Sequence, residues 1–515
     1  MKNVNLLLPE HGELVIDKNV KEVINFSNGI SSLKDINISL KGNDESISAY
    51  LKAEKTLISH LFLYYQIPLN NEMKIMGDSF ERGYGDISWS KEYSKQRFWY
   101  IFINDEKNNY LYCYGIKVQP HSIVSFKIVN NLLQIDFNTQ SGGSGVLLEN
   151  RTLNLGTLIY KKLHYDNLFD ACKSFLKLLM EDTKRLDIDH KVYGFNNWYY
   201  AYGKSSYSQI IDDTLLLEEL TDGLENRPYM VVDDGWSIYP ANGPWIINDK
   251  FKDMAKLAKE IKSHNIHPGI WFRPLSHLSN DFKDNRHPLN KDFLDPTIKE
   301  TKEYVYNLVR QIVDWGYELI KYDYITYDIF LNYGFQMDDN LTPQGWRYKD
   351  NHYTNAEIIL DMYRIIREAA GNALLIGCNT VSHLAAGLVE INRIGDDTSG
   401  FDWERTTKMG VNSLAFRLIQ NNVFYVIDAD CVGIMNKIDW NLNKNWLNLL
   451  ANSSSPLFVS CDPYLVTDEI KKDLKEAFKI NEKQNNKCYP LDWYDNHLPS
   501  LWDIDGSIVK YKWKE

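Results

Sequence analysis

The chain has 515 residues, which is too many for one compact domain and suggests about two to four. Its formal net charge of −12 argues against nucleic acid and against an anionic membrane surface as partners. No apolar run approaches the length of a membrane span, and the run near the N-terminus is too short for a signal peptide. We therefore expect a cytoplasmic protein, and the sequence leaves its oligomeric state open.

The cysteine pattern argues against a disulfide framework and against a zinc site. None of the six cysteines forms a CxxC pair, and no His/Cys group has metal-ligand spacing. Scattered cysteines with mostly apolar neighbours are typical of free thiols in a reducing compartment. We expect no metal and no other cofactor. The cysteines are Cys113, Cys172, Cys378, Cys431, Cys461 and Cys488.

Residues 1–160 have the pattern of a β-sandwich. Apolar or alternating runs, such as 98–103 and 132–137, are separated by turn clusters at 104–109 and 141–145. Residues 161–188 contain apolar positions at helical spacing and are predicted to form a connecting helix.

Residues 189–482 alternate apolar strand patterns with helical patterns and predict a (β/α)8 TIM barrel, the catalytic domain of an α/β protein. The link between the fifth and sixth strands is too short for a long helix. The tail, 483–515, contains Asp505-Gly506 between apolar runs and predicts a β-hairpin extension packed on the barrel. The predicted strands are 192–199, 228–233, 267–272, 317–323, 372–378, 387–395, 422–428 and 456–460. The predicted helices are 207–222, 250–264, 298–315, 355–369, 403–419, 441–451 and 467–480.

The ends of the predicted strands carry an unusual set of side chains, and active sites of such barrels gather at the C-terminal strand ends. Six of these ends carry acidic or amide groups, three carry tryptophan, and none carries histidine. Asp323 ends the predicted fourth strand, and Asp396-Asp397 follows the sixth. Two carboxylates at one end of a barrel suit glycoside hydrolysis, and aromatic faces suit sugar rings, although aromatic side chains also fill cores.

Structural roles remain open for several of these aspartates. Asp396 or Asp397 could be a helix N-cap. The pair Asp233-Asp234 could close a turn in which Gly235 takes a positive φ. Asp428 and Asp430 more often brace a pocket than contact a substrate, because a buried carboxylate needs partners. His264 and His267 flank the start of the predicted third strand, away from the expected site, and are interpreted as structural.

Seven short motifs at consecutive strand ends resemble one known group of enzymes. They are 194–199 (GFNNWY), 233–236 (DDGW), 269–272 (GIWF), 321–323 (KYD), 377–378 (GC), 393–398 (RIGDDT) and 428–431 (DADC). In this order, the region from about 190 to 465 resembles the α-galactosidase clan of glycoside hydrolases. It is most similar to family 36 and is related to family 27. The β-rich N-terminal region also fits the layout of family 36.

The resemblance implies a role for each strand-end residue. Asp323 would be the nucleophile, and Asp397, four residues after Arg393, the acid/base. Asp233 and Asp234 would bind the sugar O4 and O6, with Lys321 and Arg393 on other hydroxyls. Trp198 and Trp271 would wall the pocket, and Cys378 and Asn379 would lie near the sugar C2. Family 27 carries Cys-Glu-Trp at this last position where the chain has Cys378-Asn379-Thr380, so recognition at C2 is open.

The implied reaction is a retaining double displacement with two carboxyl groups about 5 Å apart. Lys321 lies two residues before Asp323, so both side chains point to one face of the strand, and an ammonium there would favour the ionised nucleophile. Asp396, Asp402 and Glu404 near Asp397 would help the acid keep its proton.

The substrate would be an α-galactoside oligosaccharide or glycoconjugate. Alternatives within the clan are an α-N-acetylgalactosaminidase or another retaining α-glycosidase. Two alternatives come from other classes. A metal-dependent barrel enzyme could use the clustered aspartates as ligands of Mg²⁺ or Mn²⁺, and a non-catalytic protein could bind sugar on the same scaffold.

Overall fold

The computed structural model describes residues 5–16, 20–92, 97–337, 340–483 and 487–514. Among these residues, no helix combines the length and the apolar character needed to cross a bilayer. All six cysteines are buried and free, in agreement with the prediction of free thiols.

The N-terminal region is a sandwich of two antiparallel sheets, as predicted. One sheet has the order β10-β11-β6-β1-β2, and the other has the order β3-β4-β5-β14-β9-β8-β7. Because side chains alternate between the two faces of a strand, one face of each strand lies in the core. In the strand Ser46–Lys52, the side chains of Ile47, Ala49 and Leu51 are fully buried. The strands are β1 (His11–Ile16), β2 (Val20–Ile24), β3 (Ile30–Leu33), β4 (Ile36–Gly42), β5 (Ser46–Lys52), β6 (Ile58–Gln66), β7 (Lys74–Asp78), β8 (Tyr100–Asp105), β9 (Tyr110–Ile116), β10 (Ile123–Val129), β11 (Leu132–Asn138), β12 (Gln140–Ser141), β13 (Ser144–Gly145) and β14 (Thr152–His164).

A parallel sheet of nine strands follows the sandwich and curls into a barrel, which confirms the predicted fold class. Its strands are β15 (Tyr193–Asn196), β16 (Tyr229–Val232), β17 (His267–Phe272), β18 (Leu319–Tyr322), β19 (Leu374–Gly377), β20 (Ile391–Arg393), β21 (Val426–Asp428), β22 (Cys431–Ile434) and β23 (Leu457–Cys461). The seventh barrel strand is split into β21, which pairs with β20, and β22, which pairs with β23. Asp430 lies in the gap with φ +74°, a left-handed conformation that interrupts the strand.

Helices cover the outside of the barrel because each presents one apolar stripe to the strands. In the helix Lys299–Asp314 the buried residues Val305, Leu308, Val309 and Ile312 recur every three or four positions. The helices are α1 (Leu168–Leu179), α2 (Trp198–Ala201), α3 (Tyr207–Thr221), α4 (Met254–Ser263), α5 (Lys299–Asp314), α6 (Ile325–Phe330), α7 (Asn355–Ala370), α8 (Ser382–Ala385), α9 (Trp403–Thr406), α10 (Ser413–Arg417), α11 (Trp440–Asn452) and α12 (Asp468–Lys483).

One helical prediction agrees with the structure and another is wrong in detail. The link between the fifth and sixth barrel strands contains only the four-residue α8, which agrees with its predicted shortness. The helix predicted over 403–419 is instead broken into α9, a π-helical segment (Thr407–Asn412), α10 and a 3-10 turn (Leu418–Gln420). Such π segments often lie at functional sites, and this one follows the loop that carries Asp397.

The C-terminal tail forms a three-stranded sheet and packs on the barrel helices. The predicted hairpin is β25 (Leu501–Ile504) with β26 (Ser507–Lys510), and β24 (Cys488–Pro490) adds a third strand. The indole N–H of Trp403 donates to the Trp513 carbonyl at 2.7 Å, and the Tyr511 hydroxyl donates to Asn448 at 2.7 Å.

A buried ion pair and backbone hydrogen bonds connect the sandwich to the barrel. Arg417 of α10 donates to Asp78 at the end of β7, and both side chains are 1% exposed. The backbone N–H of Gly83 donates to the Ile394 carbonyl at 2.8 Å, and that of Asp396 donates to the Gly83 carbonyl at 2.9 Å. These bonds bring the sandwich segment 79–87 to the open end of the barrel, where β20 terminates.

Candidate active site

Asp323 lies directly after β18 at the open end of the barrel. Its backbone N–H donates to the Phe272 carbonyl on β17 at 3.1 Å, which continues the strand pairing by one residue. Its carboxylate accepts the indole N–H of Trp271 at 3.2 Å and the backbone N–H of Tyr324 at 2.7 Å. These two donors hold the half-buried carboxylate in one orientation.

Lys321 does not have Asp323 as its direct partner, which corrects the interpretation from the strand spacing. Its ammonium donates to Asp233 at 2.8 Å, and the Asn196 amide donates to the same oxygen at 2.7 Å. Alternate strands of a barrel contribute to the same interior layer, so β18 meets the end of β16 across the interior. Although burial lowers the pKa of Lys321, the surrounding negative charges, that of Asp233 first among them, together raise it above its usual value, and the ammonium stays charged.

Asp234 is the second acid of the pair after β16 and is held in a tight turn. Its carboxylate accepts the backbone N–H of Ala241 at 2.9 Å. Burial, and then the neighbouring charge of Asp233, raise the pKa of Asp234 to about 6 although backbone N–H groups lower it. Gly235 follows with φ +118°, and a Cβ there would lie 2.7 Å from the Gly203 carbonyl oxygen. The turn that the sequence left open as an alternative is therefore present, and it leaves in the site a carboxyl whose pKa is raised.

Arg393 connects the sixth and seventh strand ends. Its guanidinium contacts Asp397 at 3.0 Å and Asp430 at 2.5 Å, and its side chain is 2% exposed. Asp430 also accepts the backbone N–H of Thr398 at 2.8 Å, and Asp428 accepts the backbone N–H of Asp430 at 2.9 Å. Asp428 and Asp430 thus brace Arg393 and the loop that carries Asp397, the structural role that the sequence reasoning favoured for them.

The charges around Asp397 are opposite to those expected. Burial raises the pKa of Asp397, but Arg393, followed by Arg82, Lys321 and Arg405, lowers it more, and the net shift is downward. The nearby acid Asp396 is neutralised by Arg82 at 3.2 Å and by Arg405 at 2.8 Å. Because the Asp397 side chain is 40% exposed, solvent weakens these effects. The free protein therefore favours an ionised Asp397.

Cys378 and Asn379 follow β19 and differ in their hydrogen bonding. Cys378 is buried, and its thiol pKa is raised first by burial and then by the charge of Asp323. The Asn379 amide donates to Glu81, and its oxygen accepts the backbone N–H of Tyr327 at 3.0 Å. These two bonds give Asn379 a positioning role in the structure, and its predicted contact with a ligand stays a prediction.

A segment of the sandwich that the sequence reasoning missed enters the site. Glu81 is fully buried and accepts from Asn379, from the Tyr84 hydroxyl at 2.5 Å and from the backbone N–H of Gly334 at 3.0 Å. Arg82 is 7% exposed and faces Asp396. In the sequence this segment shows only an adjacent acid and base, Glu81-Arg82, next to glycines. That pattern does not predict a contact with a barrel that begins more than a hundred residues later.

Aromatic rings line the mouth on two sides. Trp271 is buried beside Asp323, whereas Trp198 is half-buried beyond β15, so both predicted wall residues lie at the open end. The Tyr324 hydroxyl has its pKa raised by burial, by the charge of Asp323 and, more weakly, by that of Asp397. Asp323 follows β18 and Asp397 follows β20, and both lie at the same mouth because the C-terminal ends of these parallel strands meet at one face of the barrel.

Solved structures share this architecture, although no protein-family model and no curated protein matches the sequence. An α-galactosidase from Thermus thermophilus, in complex with p-nitrophenyl α-D-galactopyranoside, aligns over 97% of this chain and 99% of its own, with TM-score 0.63 and 15% identity. A family 36 α-galactosidase from Geobacillus stearothermophilus, in complex with 1-deoxygalactonojirimycin, aligns over 98% and 75%, with TM-score 0.63 and 12% identity. The chain has the fold of the family 36 α-galactosidases.

A third structure gives the same result. The α-galactosidase from Lactobacillus brevis aligns over 95% of this chain and 76% of its own, with TM-score 0.60 and 10% identity. The resemblance inferred from the strand-end motifs is thus confirmed at the level of the fold. At these identities the likeness covers the sandwich, the barrel and their order, and the roles of individual residues in this chain remain proposals.

Proposed function

We propose that this protein is a retaining α-galactosidase that cleaves terminal α-D-galactosyl residues from oligosaccharides or glycoconjugates. The observation that carries the proposal is two differently held carboxylates at one barrel mouth: Asp323 on N–H donors, and Asp397 on Arg393. Double displacement requires two carboxyl groups with different tasks. Enzymes of the same fold from Thermus thermophilus and Geobacillus stearothermophilus are complexed with stachyose and raffinose, which supports an α-galactoside as the substrate.

Asp323 is the nucleophile in this proposal. It attacks the anomeric carbon while Asp397 protonates the departing oxygen, and a glycosyl ester of Asp323 forms. Water, deprotonated by Asp397, then cleaves the ester, so the configuration at the anomeric carbon is retained. The fixed orientation that Trp271 gives the Asp323 carboxylate reduces the entropic cost of the attack.

Asp397 starts from an ionised state and must take up a proton before it can act as the acid. The sugar covers the exposed part of the Asp397 side chain, and removal of water favours the neutral carboxyl. Ionisation of Asp397 in the free protein should therefore limit the first step as the pH rises. In the second step, the same cations stabilise the carboxylate that serves as the base.

The sugar hydroxyls have charged and polar partners already in place. Asp233 is oriented by Lys321 and Asn196, and Asp234 by the backbone of Ala241. A preorganised carboxylate pair accepts hydrogen bonds from two adjacent hydroxyls without reordering on binding. In this proposal Asp233 and Asp234 take O4 and O6, Lys321 and Arg393 contact the remaining hydroxyls, and Cys378 lies near C2.

The test is the Asp323→Gly variant. We expect hydrolysis of aryl α-galactosides to be lost, and azide, which fits the space left by the carboxylate, to restore turnover in part. Asp495→Gly is a matched control, because that carboxylate is 80% exposed on the C-terminal tail, and it should keep wild-type activity. Full hydrolysis by Asp323→Gly without azide would contradict the assignment.

A further inference from the structure

A run of three aromatic side chains leads from the sugar pocket to solvent on one side of the mouth. The Trp198 and Tyr202 ring centroids are 5.2 Å apart, and Tyr202 stacks on Phe401 at 5.4 Å with an interplanar angle of 18°. Tyr202 is 39% exposed and Phe401 is 46% exposed. Two large stacked rings with this much exposed surface form a flat apolar platform at the rim.

The backbone of Tyr202 is held in an uncommon conformation. Its φ is +43°, in the left-handed region, directly after the one-turn helix α2. A bulky residue rarely adopts this region, and such strain concentrates where a side chain must be placed for binding. Here it places the ring between Trp198 and Phe401, so the platform is continuous with the pocket wall.

A second aromatic cluster lies in the segment that directly follows Asp323. Tyr324 follows Asp323, the Tyr327 and Tyr333 rings stack at 4.5 Å, and Tyr333 lies parallel to Phe335 at 5.9 Å. Phe335 is 64% exposed, so exposure alone does not distinguish the two clusters. Their positions relative to the two carboxylates do distinguish them.

The platform formed by Tyr202 and Phe401 belongs to the side of Asp397. Phe401 lies four residues after Asp397 in the same loop. The Tyr199 and Tyr202 ring centroids are 6.3 Å apart, and the Tyr199 hydroxyl donates to Asp430. Asp430 bonds Arg393, which contacts Asp397 at 3.0 Å. In a double displacement, the nucleophile and the acid stand on opposite sides of the anomeric carbon, and the leaving group departs on the side of the acid.

We propose that the stacked rings of Tyr202 and Phe401 form the subsite for the first sugar of the leaving group. This inference rests on the proposed function, since it needs Asp323 as the nucleophile and Asp397 as the acid. The apolar face of a pyranose packs on the exposed Phe401 and Tyr202 rings. The Tyr202 hydroxyl and the Arg405 guanidinium, which is 39% exposed, supply polar partners for the sugar hydroxyls at the edge.

The test compares two substrates that differ in the leaving group alone. α-Galactosyl fluoride has no ring to place on the platform, whereas an α-1,6-linked galactosyl disaccharide has one. In Phe401→Ala we expect kcat/KM for the disaccharide to fall about three- to tenfold, the range of one ring-stacking contact. We expect kcat/KM for the fluoride to change less than about twofold by the same reasoning. Phe401→Tyr should restore the disaccharide, whereas Phe401→Leu should not.

Phe335→Ala is the matched control, since it removes an exposed ring from the second aromatic cluster, which follows Asp323. It should leave the ratio of the two kcat/KM values at the wild-type level. Equal losses for both substrates in Phe401→Ala, or a selective loss for the disaccharide in Phe335→Ala, would overturn the inference while leaving the proposed function intact. If the wild type hydrolyses neither substrate, the proposed function fails, and the inference fails with it.

Discussion

Substitution of Arg82 by glutamine should move the pH dependence of the reaction upward. The Arg82 charge is one of the four that lower the pKa of Asp397, second among them after Arg393. Asp396 keeps Arg405 at 2.8 Å. The buried Glu81 loses the Arg82 charge at 3.6 Å but keeps its hydrogen bonds from Asn379, Tyr84 and the backbone N–H of Gly334. We therefore expect the variant to fold with lower stability than the wild type.

The size of the effect follows from the number and strength of the remaining charges. An opposite charge within about 4–6 Å typically lowers a carboxyl pKa by about 1–3. Arg393 bonds Asp397 directly and stays in place, and the 40% exposure of the Asp397 side chain weakens each contribution. We expect removal of Arg82 to raise the pKa of Asp397. Because Asp397 must be protonated in the first step, the alkaline limb of kcat/KM should shift upward by about one pH unit, the lower end of that range.

The assay is kcat/KM for an activated aryl α-galactoside from about pH 3 to 8, which reports the pKa values of the free enzyme. Lys74→Gln is the control, because it removes a positive charge from the same sandwich where Lys74 pairs with Asp495 of the tail. The control should reproduce the wild-type profile. A uniform loss of activity in Arg82→Gln, with the alkaline limb unmoved or shifted to lower pH, would refute the electrostatic reasoning.

Two further predictions concern stability and metal dependence. Arg417→Leu should lower the free energy of unfolding by about 3–5 kcal/mol, because it leaves the buried Asp78 charge without its partner. Urea denaturation measures this free energy. A double variant that also carries Asp78→Asn should recover much of the loss. Treatment with EDTA should leave hydrolysis unchanged, because the carboxylates of Asp233 and Asp430 are bonded to Lys321 and Arg393. Activity lost to EDTA and restored by Mg²⁺ or Mn²⁺ would favour the metal-dependent alternative.

The fold and the strand-end positions were predictable because they depend on local patterns. Four-residue apolar strands and amphipathic helices alternate along the chain, and parallel strands bring their C-terminal ends to one face. This was sufficient to place Asp233, Asp323 and Asp397 at one mouth. The split of the seventh strand was not predictable, because it depends on a left-handed Asp430 whose side chain bonds Thr398 and Arg393.

The partners of the charged groups could not be predicted from the sequence. The spacing of Lys321 and Asp323 gives a shared face of β18, but the nearest acid to Lys321, Asp233, lies across the barrel interior. The charge near Asp397 was misjudged for the same reason. Neighbours in sequence suggested excess acid, whereas Arg82 reaches the site from another domain and, with Arg405, neutralises Asp396.

The most direct test of the central claim is the configuration of the azide product formed by Asp323→Gly. With the nucleophile removed, azide should attack from the side that Asp323 occupied, opposite the leaving group. The account predicts β-galactosyl azide as the product of an aryl α-galactoside, which NMR identifies from the anomeric coupling. Formation of α-galactosyl azide would assign Asp323 to the acid/base role and contradict the account.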